Sequence, residues 1–216
     1  MVDFQEFANQ LRKPTGEGAK LVTDFMAKAN IQLYDFVMSR LKFFPGMKII
    51  ELGMADGFFV KKFYERENEI SYLGVDYSTD MVHEAQNVNS EFAKEREIIF
   101  QVGNISSLEF ATNSFDAFVT INTHYFWDNL AEGINEMIRV IKPNGQFLIC
   151  GRTMKSMKLL PFTQFGFAYY SDETLQHLFN IPTVTDFNFD TFKEKIKLPT
   201  GEETVLVNFC ALGIKV

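Results

Sequence analysis

Cysteine, histidine and tryptophan are scarce in these 216 residues, with two, three and one copies. Three histidines and two scattered cysteines leave no metal-ligand spacing, so no metal centre is expected. Cys150 and Cys210 both fall inside apolar, strand-like stretches, and they read as buried thiols without a disulfide. No apolar run reaches the roughly 18 residues of a membrane span, and the opening MVDFQEFANQ has neither the basic start nor the apolar stretch of a secretion signal. No membrane partner is expected, and a reducing, cytoplasmic setting follows. Positive charge is also short: 21 Lys and Arg against 28 Asp and Glu give a net charge of −7. A general nucleic-acid binder needs a basic face to displace counterions, so no nucleic-acid partner is expected. No segment is repeated or compositionally simple.

Phenylalanine, at 24 copies, is the residue in excess. Many copies must be core, and the late cluster suits an apolar pocket. The length fits one sizeable domain over residues 1–216. Strand-like apolar runs at Met47–Leu52, Ser71–Asp76, Ile98–Val102, Ser114–Ile121 and Gln146–Gly151 alternate with helical patterns at 58–67, 79–95 and 130–141. That alternation is the signature of an α/β fold with a parallel sheet. Ahead of it, amphipathic patterns at 3–12 and 19–42 form a helical cap over residues 1–45, interrupted by the Arg12–Gly18 loop. The loop reads either as a simple turn or as a flap over the site. Residues 152–170 fit neither helix nor strand and read as a lid or substrate-pocket insertion. A helix from Ser171 to Phe179 and two strands, Val184–Leu198 and Thr204–Lys215, turning at Pro199–Glu202, complete the chain over 171–216.

The stretch IIELGMADGFF, Ile49–Phe59, organises the rest. A buried strand stops at an acid, Glu51, and turns through Gly53, Met54, Ala55, Asp56 and Gly57 into a helix. Glycine at 53 and 57 permits positive φ and lets a ligand lie against the backbone at the carboxyl end of the strand. Asp76 ends the next strand about twenty residues on, where a carboxylate can accept from ribose hydroxyls. Tyr77 and Met81 follow, placed to pack on adenine, and Ser78 is placed to cap the next helix. By the rule that ligands sit where strand order reverses, the residues past the fourth strand face the same crevice. Asn122 would reach the cofactor and His124, Tyr125 and Trp127 the acceptor, with core packing the alternative for the aromatics.

The E-x-G-x-A-x-G run resembles motif I of the class I S-adenosylmethionine-dependent methyltransferases. Gly103-Asn104-Ile105 sits where that family usually has Gly-Asp, and EMIRVIKPNGQFLI, residues 136–149, resembles its helix-turn-strand segment. The resemblance spans about residues 47–151, so that 46–151 would form the core that binds S-adenosylmethionine. It implies a Rossmann-like three-layer sandwich with a seven-stranded sheet, order 3-2-1-4-5-7-6 and strand 7 antiparallel. It also implies methyl transfer from S-adenosylmethionine to a small-molecule acceptor. Cofactor contacts are then expected from Glu51, Gly53, Met54, Ala55, Gly57, Asp76, Tyr77, Met81, Gly103, Asn104, Ile105 and Asn122. His124 and Tyr125 are the candidates for positioning or deprotonating the acceptor, and Tyr125, Trp127, Phe165 and Tyr169 for binding it. Two other readings stay open. A non-catalytic binder of the same cofactor would keep Gly53, Gly57 and Asp76 with a closed acceptor pocket. A dinucleotide oxidoreductase would need room for a pyrophosphate, which Glu51, Ala55 and Phe58 oppose.

Overall fold

The computed structural model describes residues 3–16, 18–197 and 203–216. Two helices, α1 (Phe4–Arg12) and α2 (Gly18–Arg40), precede the first strand, β1 (Lys48–Leu52). There follow α3 (Val60–Arg66), β2 (Ser71–Asp76), α4 (Thr79–Val88), β3 (Glu97–Val102), β4 (Phe115–Ile121), α5 (Leu130–Val140) and β5 (Ile141–Arg152). A one-turn helix α6 (Met154–Met157), then α7 (Asp172–Phe179), β6 (Val184–Lys197) and β7 (Glu203–Lys215) complete the chain. The strands form one sheet of order β3-β2-β1-β4-β5-β7-β6. β1 to β5 pair in parallel and β7 runs antiparallel to β5 and β6, the topology implied by the resemblance. The expected turn at Pro199–Glu202 lies outside the described residues. Among the described residues, no helix is long and apolar enough to cross a membrane.

Two apolar layers cover the two faces of the sheet. Leu33 and Val37 of α2, Phe63 of α3 and Ala85 of α4 pack with Ile49, Tyr72 and Val119 on one face. Ile134 and Met137 of α5 and Phe179 of α7 pack with Ile50, Leu52, Phe118 and Ile149 on the other. The alternation along β1 decides where its acid goes: Ile50 and Leu52 face α5, whereas Ile49 and Glu51 face α2. Leu52 lies opposite Val75 and Thr120, so β1, β2 and β4 end together beside the glycine turn.

Three local expectations change. The helix anticipated over 79–95 stops at Val88, because the buried Asn89 turns its amide inward and donates to Gly57 O and Ala85 O; a separate 3-10 turn takes up Phe92–Glu95. The turn of the helix-turn-strand segment expected within 136–149 is a bulge within β5. Pairing jumps from Phe115 with Ile141 to Ala117 with Gln146, and Asn144 adopts φ 65°. The third concerns the cysteines, which are not free thiols but are joined as a disulfide. Pairing of β5 with β7 sets Cys150 directly opposite Cys210, Cα to Cα 4.1 Å, in the fully buried centre of the sheet.

Candidate functional site

A cavity of about 530 Å³ opens over the carboxyl ends of β1, β2, β4 and β5. At one end lies the glycine turn. Gly53 adopts φ 76° and Gly57 φ 66°, conformations that favour glycine. Gly53 N–H donates to Val75 O at 2.7 Å and Gly57 N–H to Met54 O at 3.0 Å, which ties the turn to β2 and to itself. Beside it, Asp76 Oδ2 accepts from Ala55 N–H at 2.9 Å and Oδ1 from Ser78 N–H at 2.8 Å. Burial pushes the Asp76 carboxyl above its ordinary range, against the lowering effect of those bonds. Each oxygen keeps a further lone pair for a ligand.

Of the residues expected to hold a cofactor, Gly53, Met54, Ala55, Asp76, Tyr77, Gly103, Asn104, Ile105 and Asn122 line this cavity, and Glu51, Gly57 and Met81 do not. Gly57 is instead a packing position, since a Cβ there would meet Asn89 Nδ2 at 2.9 Å. Met81 is buried with α4. Asn104 spends its side-chain oxygen on Ser106 N–H at 3.1 Å, closing a local turn.

Glu51 is 1% exposed and accepts hydrogen bonds from the hydroxyls of Tyr34 and Tyr72. Its side chain faces α2, so Tyr34, not the acid, reaches the cavity. Burial raises the Glu51 carboxyl from 4.5 to about 7, opposed by the two tyrosine bonds. A raised pKa means that the fold favours the protonated carboxyl. This contribution to stability is therefore complete below 4.5 and lost as pH rises through about 7. Relative to Glu51→Gln, the wild type should lose on the order of 2–4 kcal/mol of unfolding free energy across that interval. Urea denaturation at a series of pH values checks this, and parallel profiles for the two proteins would overturn it.

The acceptor-side expectations divide in the same way. Tyr125 and Trp127 line the cavity; His124, Phe165 and Tyr169 do not. His124 is turned beneath the 3-10 turn that carries it, 2% exposed, packed on Phe209 and against Gly151. Burial lowers it to about 3, so it is a neutral core histidine rather than a base facing an acceptor. Tyr125 is buried beside Phe126 and Phe167, and burial pushes its phenol up. Trp127 is held by a bond from Nε1 to Thr123 Oγ1 at 3.2 Å and lies over Gly133, where a Cβ would meet its ring at 2.5 Å.

In the segment after β5, Phe162, Thr163 and Phe167 supply the cavity wall in place of Phe165 and Tyr169. A 3-10 turn over Pro161–Gln164 directs Phe162 inward, and Gly166 at φ 74° reverses the chain before Phe167. Tyr169 instead bonds Thr163 Oγ1 at 3.0 Å on the outside. Phe162 meets Phe7 of α1 at 5.2 Å, which locks the amino-terminal cap onto this segment. The loop after α1 is pinned at both sides of the cavity. Pro14 O accepts from Ser78 Oγ at 2.5 Å and Gly16 N–H donates to Asp80 Oδ2 at 2.9 Å. Across the opening, Arg12 pairs with Asp128 at 3.2 Å.

Sequence reasoning missed the far end. Arg152 at the end of β5 and Glu194 of β6 line the cavity with Asn30 and Leu206. Asn122, at φ 57° just past β4, ties α2 to β5 at this end by donating to Asn30 Oδ1 at 2.8 Å and accepting from Arg152 N–H at 3.2 Å. The signal in the sequence is limited to the arginine that ends the apolar run of β5; Glu194 lies within the KEKIK stretch of β6 with nothing to mark it.

The residues present fit S-adenosylmethionine: a carboxylate with spare lone pairs, a glycine backbone open to close approach and an apolar-walled cavity within the size range of ligand sites. Comparison with known proteins agrees. The family described as "Methyltransferase domain" matches residues 49–145. The chain is 24% identical over 124 residues to the uncharacterized methyltransferase YdaC of Bacillus subtilis, covering 57% of this chain and 66% of that protein. It is 26% identical over 116 residues to the ubiquinone/menaquinone biosynthesis C-methyltransferase UbiE of Geotalea daltonii, covering 53% and 49%. These matches span less than two thirds of the relatives' own lengths. Among solved structures, YcgJ of Bacillus subtilis superposes with TM-score 0.69 at 15% identity, covering 84% of this chain and 97% of that one. A SAM-dependent methyltransferase of Methanosarcina mazei superposes with TM-score 0.64 at 17% identity, covering 85% and 98%. At these identities the structures speak for the fold alone. Residues 49–145 therefore match a methyltransferase domain, and over about half of its length the chain is similar to curated proteins named as methyltransferases.

Proposed function

We propose that the protein transfers a methyl group from S-adenosylmethionine to a small-molecule acceptor. The observation that carries this reading is a single cavity running from the glycine turn and Asp76 to a chamber walled by Tyr125, Phe162 and Phe167. A non-catalytic binder would need only the first half. S-adenosylmethionine, when bound, supplies a methyl group already activated by a positive sulfur. The chain has then to bind, orient and keep out water. Gly53, Ala55 and Asp76 form the cofactor end, with Tyr77, Gly103 and Ile105 beside them. Tyr125 and Trp127 shape the acceptor end, Trp127 held through Thr123. The net charge of −7 and the apolar walls suit a small acceptor rather than a nucleic acid.

Calorimetric titration with S-adenosylmethionine, S-adenosylhomocysteine and NAD tests the reading. Saturable heat with the first two and none with NAD is expected; no heat with either sulfur ligand at millimolar concentration would defeat it. The cap has a testable role in the same reading, since Leu11, Arg12 and Pro14 line the cavity and the loop spans its opening. Removing residues 1–17 should weaken S-adenosylhomocysteine about tenfold while leaving a folded, cooperatively melting core, as expected of a closing element. Unchanged affinity would reduce the cap to a packing element.

A further inference from the structure

Arg152 and Glu194 are 6% and 4% exposed, a charged pair deep at the end of the cavity away from Asp76. Glu194 Oε2 accepts from Arg152 Nη1 and from Asn208 Nδ2, the latter at 3.1 Å. Arg152 Nη1 also donates to Asn208 Oδ1 at 2.5 Å, and Nη2 to Ala29 O of α2 at 2.9 Å. Among the described residues these bonds leave Arg152 Nε–H, one Arg152 Nη2–H and Glu194 Oε1 uncommitted. Burying two charges costs desolvation that apolar side chains of similar volume would avoid. Here the cost falls on two residues that face a cavity, not a closed core.

Resting on the methyltransferase reading, the geometry points to Arg152 and Glu194 as the residues that bind the acceptor, holding a neutral hydroxyl of an apolar alcohol or phenol. The pair keeps free donors on Arg152 and a free acceptor on Glu194, with no net charge between them. A hydroxyl can accept from Arg152 and donate to Glu194 at once. A carboxylate would meet the Glu194 charge and an ammonium the Arg152 charge, each without a free counterion. The remaining wall of Phe162, Phe167, Met157, Leu160 and Leu206 suits a ring or an alkyl body and offers little to a polar one. Asn122, just past β4, accepts from Arg152 N–H, so Arg152 sits beside the residues that follow β4 and line the same cavity.

The test uses protein saturated with S-adenosylhomocysteine and three probes substituted at the same ring position: naphthol, its methyl ether and naphthoate. Calorimetry on the wild type should show naphthol binding about tenfold or more tighter than either analogue, because a site built to hydrogen-bond a hydroxyl leaves buried groups unpaired with the others. Glu194→Gln leaves Arg152 uncompensated and should shift the preference toward naphthoate by about tenfold, a change that a merely structural role would not produce. The double substitution Arg152→Met with Glu194→Leu removes both charges and should bind all three probes within about threefold of one another, with S-adenosylhomocysteine affinity retained. A wild type that binds S-adenosylhomocysteine but shows no preference for naphthol would overturn the inference alone, as would an unaltered preference in Glu194→Gln. Failure of S-adenosylhomocysteine to bind the wild type would remove the methyltransferase reading and this inference with it.

Discussion

Gly53→Val should abolish measurable S-adenosylhomocysteine binding and lower the unfolding free energy by roughly 2–6 kcal/mol. Two costs add. Gly53 sits at φ 76°, a conformation that a β-branched residue reaches only with strain of about 1–3 kcal/mol. A Cβ at this position would also collide with Thr123 Cγ2. Thr123 cannot give way freely, because its hydroxyl contacts Thr120 Oγ1 at 2.5 Å and accepts from Trp127 Nε1 at 3.2 Å, while Thr120 Oγ1 donates to Leu52 O at 2.9 Å. That chain joins the ends of β1 and β4 to the acceptor wall, so a crowded core adds about 1–3 kcal/mol and disturbs both halves of the cavity. Calorimetry gives the binding and urea denaturation the stability; wild-type values in both would show that the turn has no part in the site.

The strands and the glycine turn were legible because their signals are local. A run such as KIIEL followed by G-x-x-x-G carries its own conformation, and the alternation of helix and strand limits the topology. What a side chain faces at the end of a strand depends on partners far away in sequence. Glu51 follows the alternation of β1 toward α2, where Tyr34 and Tyr72, 17 and 21 residues distant, bond it. The same holds for Cys150 and Cys210, which meet only because β7 inserts between β5 and β6 in one register.

The lid illustrates a second limit. Its aromatics have no period, and a 3-10 turn with a positive-φ glycine decides that Phe162 and Phe167 enter the cavity while Tyr169 stays outside. The place of His124 after β4 makes it a catalytic candidate, but one residue of rotation in a short turn separates it from Tyr125, which does line the cavity. Arg152, Glu194 and Asn208 lie 42 and 56 residues apart along the chain from Arg152, with no motif to link them. The glycine-turn end of the cavity was therefore readable as a pattern, and the end that holds Arg152 and Glu194 only as a structure.

Asp76→Ala should weaken S-adenosylhomocysteine by about 2–4 kcal/mol, or roughly thirty-fold to a thousand-fold. The estimate is the loss of two hydrogen bonds from ribose hydroxyls to a charged acceptor. The carboxylate also serves the fold, since it takes the N–H groups of Ala55 and Ser78 and holds the glycine turn against the start of α4. Removing it leaves the buried Ser78 N–H without its partner, which costs about 1–3 kcal/mol of stability by itself. Asp76→Asn separates the two roles. Its amide oxygen can keep one of the backbone bonds, so stability should recover more than affinity does, because an amide cannot accept from both ribose hydroxyls as a carboxylate can. Melting curves and calorimetry on the two variants, taken together, give the distinction. An affinity within a few tenths of a kcal/mol of wild type in Asp76→Ala would place the ribose elsewhere in the cavity and leave Asp76 as a brace for the turn alone.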